Sequence, residues 1–262
     1  MALVTMKSVL DAAAKGHYAV GAFGGSDMLS AMSAIKAAET KKVPLILLEE
    51  FSLVFDDDRS LELHFAALNA MAEKADVPVA TVLDHGMSYE DCMRAIRLGC
   101  TSVMFDGSSL PMEENIRITK EIVKIAHAVG VSVEGEIGHV GGTEGGATLE
   151  GAEVDESAYS TPEEARYFAE ETGVDALAVA IGTVHGTFTV SYTHLDVYKR
   201  QSLTRLPAAM ECCLIFSWST CLSPPALTAS IMMFSVAMKG SSLMSLEFMT
   251  LGYTTRPDVM FM

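Results

Sequence analysis

The sequence predicts an α/β chain folded as a TIM (β/α)8 barrel, on three observations. Short, almost wholly apolar runs alternate with longer stretches of helical period. The runs have the length and composition of strands buried on both faces, the mark of a parallel sheet. Four successive runs deliver ionisable residues at their C-terminal ends: Leu83-Asp84-His85, Phe105-Asp106, Val133-Glu134-Gly135-Glu136 and, after Ile181, His185. Polar residues at the C-terminal ends of consecutive strands mark the functional face of such a barrel. A doubly wound open sheet, the competing architecture, gathers its binding residues at one switch point instead.

The elements follow in order. A short helix over Ser8–Lys15 precedes a strand at Tyr18–Phe23, closed by Gly24-Gly25. Asp27–Thr40 has helical spacing, with Met28, Ala31, Met32 and Ile35 on one face. Strand Val43–Leu48, helix Asp58–Ala75, strand Val77–Leu83 and helix Ser88–Leu98 come next, with Ser88 and Asp91 arranged like a capping box. Strand Thr101–Phe105 leads to an amphipathic helix, Met112–Val129, stopped by Gly130. Strand Val131–Ile137 runs into a glycine-rich, acidic stretch from Gly138 to Ser160, and a loop that long is usually functional. Thr161-Pro162-Glu163-Glu164 opens a helix that Gly173 ends, and Ala176–Ile181 is the sixth strand.

Composition sets outer limits. The chain has 262 residues, 50% of them hydrophobic, enough for one barrel. A formal net charge of −16 argues against nucleic acid or an anionic membrane surface as partner, while leaving room for a small phosphorylated substrate at a local cationic site. The first residues carry no basic segment followed by an apolar core, and no apolar run approaches the ~20 residues that span a bilayer. The five cysteines lack metal-site spacing, and Cys92 and Cys100 read as buried thiols of a reduced, cytoplasmic protein.

The strand ends offer a metal site. A catalytic zinc takes three protein ligands and keeps one position open. His85 and His185 supply imidazoles from strands three and six, and Asp106 and Glu136 supply carboxylates between them. Asp84 is turned from its neighbour His85 by strand alternation, so it reads as a general acid/base beside the metal. Glu134 is expected to face away from Glu136 or to lie inside the barrel. Glu144, flanked by glycines in the long loop, reads as an acid that closes over substrate and moves a proton.

Four motifs together resemble the class II, metal-dependent ketose-bisphosphate aldolases, the fructose- and tagatose-bisphosphate enzymes. They are Leu-Asp84-His85, Val-Met-Phe-Asp106-Gly-Ser, Val-Glu134-Gly-Glu136-Ile-Gly-His-Val-Gly-Gly and Ala-Ile-Gly-Thr-Val-His185-Gly-Thr. The resemblance runs from about residue 5 to Phe188. It implies a TIM barrel and a Zn2+ ion that acts as a Lewis acid on the carbonyl of dihydroxyacetone phosphate. It implies His85 and His185 as zinc ligands, and Asp106 and Glu136 at a second or alternative metal position. Asp84 matches the acid that handles the hydroxyl proton as the carbon–carbon bond breaks, Glu144 the loop acid, and Gly186 a backbone contact to the triose phosphate or its monovalent cation. The implied partner is a phosphosugar, in a cytoplasmic homo-oligomer. Two places depart from the pattern. Strand one ends in Gly24 where the family often has Asn, and strand two ends in the acidic Glu49-Glu50. Alternative readings are a TIM-barrel phosphosugar isomerase or epimerase, and a chimeric chain without activity.

After Phe188 the motifs stop, and the family's seventh-strand histidine and eighth-strand phosphate motif do not appear. Residues 190–201 back-translate to a DNA string that is nearly its own reverse complement and resembles two sequencing adapters joined head to head. Residues 202–262 carry three acids and three bases, with many Met, Ser, Leu and Cys and no period that completes a barrel. The expected division is therefore a barrel portion over 1–188, truncated after the sixth strand, and a non-native tail over 189–262.

Overall fold

The structure is a computed structural model. It describes residues 2–51, 57–138 and 159–180, and the backbone of 215–218 and 235–237. Among the described residues, helix α1 (Met6–Gly16) precedes five strand–helix units and a sixth strand. The strands are β1 (Val20–Gly24), β2 (Leu45–Glu49), β3 (Val79–Gly86), β4 (Ser102–Phe105), β5 (Ser132–Ile137) and β6 (Ala176–Val179). Between them run α2 (Met28–Lys41), α3 (Asp58–Glu73), α4 (Tyr89–Arg97), α5 (Met112–Ala128) and α6 (Pro162–Thr172). All six strands pair in sequence order and in parallel, as expected of a (β/α) barrel.

Local chemistry explains the boundaries. The Ser88 hydroxyl accepts from Asp91 N at 3.1 Å and donates to the Asp91 carboxylate at 2.8 Å, so the reciprocal bond returns to the hydroxyl, not to the backbone. Thr161 and Glu164 form a full capping box behind Pro162, and Gly173 ends α6 at φ 72, a conformation that suits glycine.

Strand alternation sorts the side chains into two layers. Leu83, Val103, Phe105, Val133, Ile137, Leu177 and Val179 pack outward in the apolar layer with Ile122 and Phe168 of the helices. Ala22, Ile46, Ala80, Val82 and Ala176 face inward, where Val9 and Leu10 of α1 join them. Helix α1 closes the N-terminal end of the barrel. Ser102 and Ser132 are the first residues of β4 and β5, and their hydroxyls lie 2.7 Å apart. Ser102 Oγ accepts from Met6 N at 2.8 Å, and Ser132 Oγ from Lys7 N at 3.3 Å. Two strand hydroxyls thus satisfy amides that a helix start leaves without intrahelical partners.

Two short strands, β7 (Ile215–Trp218) and β8 (Ser235–Ala237), add to the sheet where the sequence offers no period for them. The order is β7-β1-β2-β3-β4-β5-β6-β8, with β7 parallel to β1 and β8 antiparallel to β6. A (β/α)8 barrel keeps every strand parallel, so β8 does not continue the pattern. Open edges explain both additions: unpaired N–H and C=O groups recruit extended chain through its backbone, whatever its side chains.

The Ser102 contact yields a first expectation. Ser102→Ala leaves the buried Met6 N–H unpaired and should cost about 1–3 kcal/mol, read as a lower urea midpoint with an unchanged slope.

Candidate active site

Three side chains from neighbouring strand ends converge at the C-terminal mouth. His85, Asp106 and Glu136 each place one potential ligand atom within 4.8 Å of the others. Positions 102 and 104 of β4 and 132 and 134 of β5 lie inward, so Asp106 and Glu136 fall on the inward side by count. His85 is set differently. The β3–β4 register shifts between Leu83 and Gly86, and His85 sits at φ 47. A bulge of this kind re-aims a side chain, and a non-glycine residue holds that conformation at a cost of about 1–3 kcal/mol. Gly86 follows because nothing larger fits: a methyl there would lie 2.6 Å from Met104 O.

Electrostatics divides the two carboxylates. Burial works to raise Asp106, but hydrogen bonds outweigh it and hold the group down at about 2. Asp106 Oδ2 lies 3.1 Å from His85 Nδ1, and Oδ1 accepts from Ser108 N at 3.0 Å and Ser108 Oγ at 2.6 Å. With Asp106 ionised, His85 Nδ1 is the donor, so the neutral imidazole carries its lone pair on Nε2. Glu136 goes the other way. Burial first, then the charge of Asp106, pushes it up to about 8, and Glu134 and Asp84 add to the rise. Its Oε2 is buried and has no hydrogen-bond partner among the described residues.

The donor set fits a divalent metal. A buried carboxylate oxygen without a donor, an ionised neighbour and an imidazole with a defined tautomer suit a borderline or hard cation. Asp84 is 5% exposed and belongs to the same mouth, as its effect on Glu136 requires.

The sequence expectations divide as follows. His85, Asp106, Glu136 and Asp84 come together, although the group formed is one imidazole with two carboxylates. His185, Glu144 and Gly186 lie outside the described residues. Glu134 does not turn away from Glu136: residues two apart share a strand face, and both are buried. The acidity of strand two is also not at the mouth through Glu49. That side chain is fully buried on the outer face with Leu45 and Leu47, where Glu49 Oε2 and His64 Nε2 lie 2.8 Å apart. Cys92 and Cys100 are free and buried, and burial pushes the Cys92 thiol up to about 12, so neither is an activated nucleophile. Ser108 was not singled out from sequence; its place two residues after Asp106 is a side-chain-capped turn that the motif Asp-Gly-Ser contains.

The family model for class II fructose-bisphosphate aldolase matches residues 4–211, past Phe188 where the motifs stop. The chain belongs to the class II fructose-bisphosphate aldolase family. It is 45% identical over 188 residues to the fructose-bisphosphate aldolase of Thermus caldophilus, covering 71% of this chain and 59% of that protein. It is 42% identical over 190 residues to the 6-phospho-5-dehydro-2-deoxy-D-gluconate aldolase of Halalkalibacterium halodurans, covering 72% and 64%. The chain therefore spans about three fifths of these relatives' length. Among solved structures it is similar to the YdjI aldolase of Escherichia coli K12, with a TM-score of 0.64 and 33% identity over 78% of this chain and 68% of the other.

The raised Glu136 carboxyl has a measurable sign. The unfolded chain ionises this group near 4.5 and the folded, metal-free chain near 8, so between them the folded state binds the extra proton. Stability of the metal-free protein should fall as pH rises from about 4.5 to about 8, and Glu136→Gln should flatten that fall in urea titrations. Divalent-metal affinity should rise over the same range, with proton release seen by calorimetry in buffers of different ionisation heat.

Proposed function

We propose that the barrel to which this chain belongs carries out reversible, zinc-dependent aldol cleavage of a ketose 1,6-bisphosphate, fructose or tagatose, to dihydroxyacetone phosphate and glyceraldehyde 3-phosphate. The observation that carries the reading is the His85–Asp106–Glu136 group at the strand ends, with Asp84 buried beside it. When bound there, zinc supplies Lewis-acid polarisation of the substrate ketone. His85 would hold the zinc together with His185. Asp106 orients the His85 ring through Nδ1, and Glu136 offers a second or alternative metal contact. Asp84 takes the proton of the C4 hydroxyl as the C3–C4 bond breaks, and Glu144 returns a proton to C3 of the released triose phosphate. Gly186 offers its backbone to the phosphate or its cation. A cytoplasmic, homo-oligomeric enzyme of glycolysis is part of the same proposal, supported by the two free, buried thiols.

A second aldol substrate is favoured by one observation: the relatives carry two activity names, for a ketose bisphosphate and for a phosphorylated deoxygluconate. Both are phosphorylated ketones whose aldol cleavage breaks the bond between the α and β carbons, so Asp84 and the metal group would serve either. Assay of both substrates decides between them.

Three variants in a chain with the barrel completed test the roles. His85→Ala and His185→Ala should lose zinc and turnover together; full zinc occupancy in either sinks the ligand assignment. Asp84→Ala should keep zinc and lose roughly 10²–10⁴-fold in turnover at saturating substrate, and unchanged turnover removes it from the chemistry.

Residues 189–262 enter this proposal as a tail that is not the aldolase's own. Support comes from the antiparallel β8 and the adapter-like stretch over 190–201, while the family match, which runs on to residue 211, counts against a junction as early as 189. The 262-residue chain is then expected to cleave substrate far more slowly than a completed barrel, with zinc in excess. Comparable turnover makes the tail a genuine completion of the fold, and reading the DNA across codons 188–202 checks the junction directly.

A further inference from the structure

The mouth depends on a side chain that none of the motifs includes. Asn115, in the first turn of α5, is 2% exposed. Its Nδ2 donates to Glu136 O at 2.8 Å, and its Oδ1 accepts from Thr119 Oγ1 at 3.0 Å. The Thr119 hydroxyl needs an acceptor and Glu136 O needs a donor, so the amide has one satisfying orientation. On its other side the amide presses on Gly107, the residue after Asp106. A methyl on Gly107 would lie 2.3 Å from Asn115 Oδ1.

The position of this wedge gives it a role. The β4–β5 pairing runs Ser102↔Ser132 through Phe105↔Gly135 and ends there. Asp106 and Glu136 are the next residues on each strand, so no pairing of β4 with β5 sets their separation. Each is tied to its outer neighbour, Asp106 N to Gly86 O of β3 at 3.0 Å and Glu136 to Ala178 of β6, and the Asn115 amide is what links the two, bonded to the backbone of one residue and packed on the neighbour of the other.

We infer that Asn115 is a positioning residue, which sets the spacing of Asp106 and Glu136 and thereby the affinity and geometry of the metal group. It acts through the Glu136 backbone and the Asp106–Gly107 turn, and it touches neither metal nor substrate. The inference rests on the proposed metal role of His85, Asp106 and Glu136. Outer partners of this kind typically change metal affinity by 10–100-fold when removed.

The test uses the full chain and cobalt(II) as probe, with visible absorption reporting coordination and calorimetry reporting affinity. Asn115→Asp keeps the size and the acceptor for Thr119 but sets a carboxylate against Glu136 O. Gly107→Ala leaves Asn115 intact and displaces its amide. Both should weaken cobalt about 10–100-fold and shift or weaken its absorption bands. Thr119→Val, which removes only the bond that orients the amide, should give a smaller change of the same kind. If Asn115→Asp and Gly107→Ala, folded by circular dichroism, both bind cobalt with the parent's affinity and spectrum, Asn115 is structural only and the inference falls. Should Asn115→Asp not fold, Gly107→Ala decides alone. A parent chain that takes up no cobalt, or takes it up equally after His85→Ala, overturns the inference for this chain, and the same result in a chain with the barrel completed overturns the metal reading as well.

Discussion

The mouth of this barrel is governed by the difficulty of holding several carboxylates together away from water. Asp84, Asp106, Glu134 and Glu136 crowd the inward ends of three adjacent strands, and their shared charge must go somewhere. The protein divides it unevenly. Asp106 receives three hydrogen bonds, from His85, Ser108 N and Ser108 Oγ, and keeps its charge. Glu136 receives none at Oε2 among the described residues, and its ionisation is pushed up to about 8. Titrating groups whose environments drive them apart are the pattern of a working site. A divalent cation bound there would resolve the conflict in one step, because it would give the buried carboxylates a countercharge.

The site was legible from sequence to the extent that it follows the period of two. Asp106 and Glu136 could be placed because each ends an apolar run whose alternation fixes the inward face. Of the two placements expected for Glu134, the inner one follows from the same rule: two steps along a strand return to the same face, so it belongs with Glu136. Glu49 shows the rule again, since alternation with Leu45 and Leu47 carries it outward to His64, away from any phosphate. The bulge at His85 was not legible. Nothing in Asp-His-Gly announces a histidine at φ 47, although the glycine after it hints at a close approach. Asn115 was out of reach for another reason. In sequence it is one polar residue in the first turn of a helix, and only Thr119 among its contacts shares that helix, while Glu136 and Gly107 lie elsewhere in the fold.

The outer edges of the sheet obey a weaker physics. Within β1–β6, backbone pairing and side-chain burial agree, and the parallel order follows. At the outer edges of β1 and β6 the backbone takes up both a parallel and an antiparallel partner. Pairing of that kind satisfies amides without specifying register, which in buried strands comes from side-chain pattern. This explains how six strands can be read residue by residue while the additions at 215–218 and 235–237 could not.

Register is also what joins the two ends of the barrel. On β4 the inward positions run Ser102, Met104, Asp106; on β5 they run Ser132, Glu134, Glu136. The pairing sets Ser102 opposite Ser132 and Met104 opposite Glu134, which brings Asp106 and Glu136 level at the mouth. The hydroxyl pair at the floor, 2.7 Å apart and bonded to the first amides of α1, holds that register. A slip of one residue on β5 would send Glu134 and Glu136 into the apolar layer of Phe168 and Val174, and put Val133 and Gly135 in their place. The charge that is costly at the mouth would be far more costly there. The same carboxylates that burden the folded state therefore exclude its nearest misfolded alternative, and the floor serines and the Asn115 wedge fix the strands below and above the point where that choice is made.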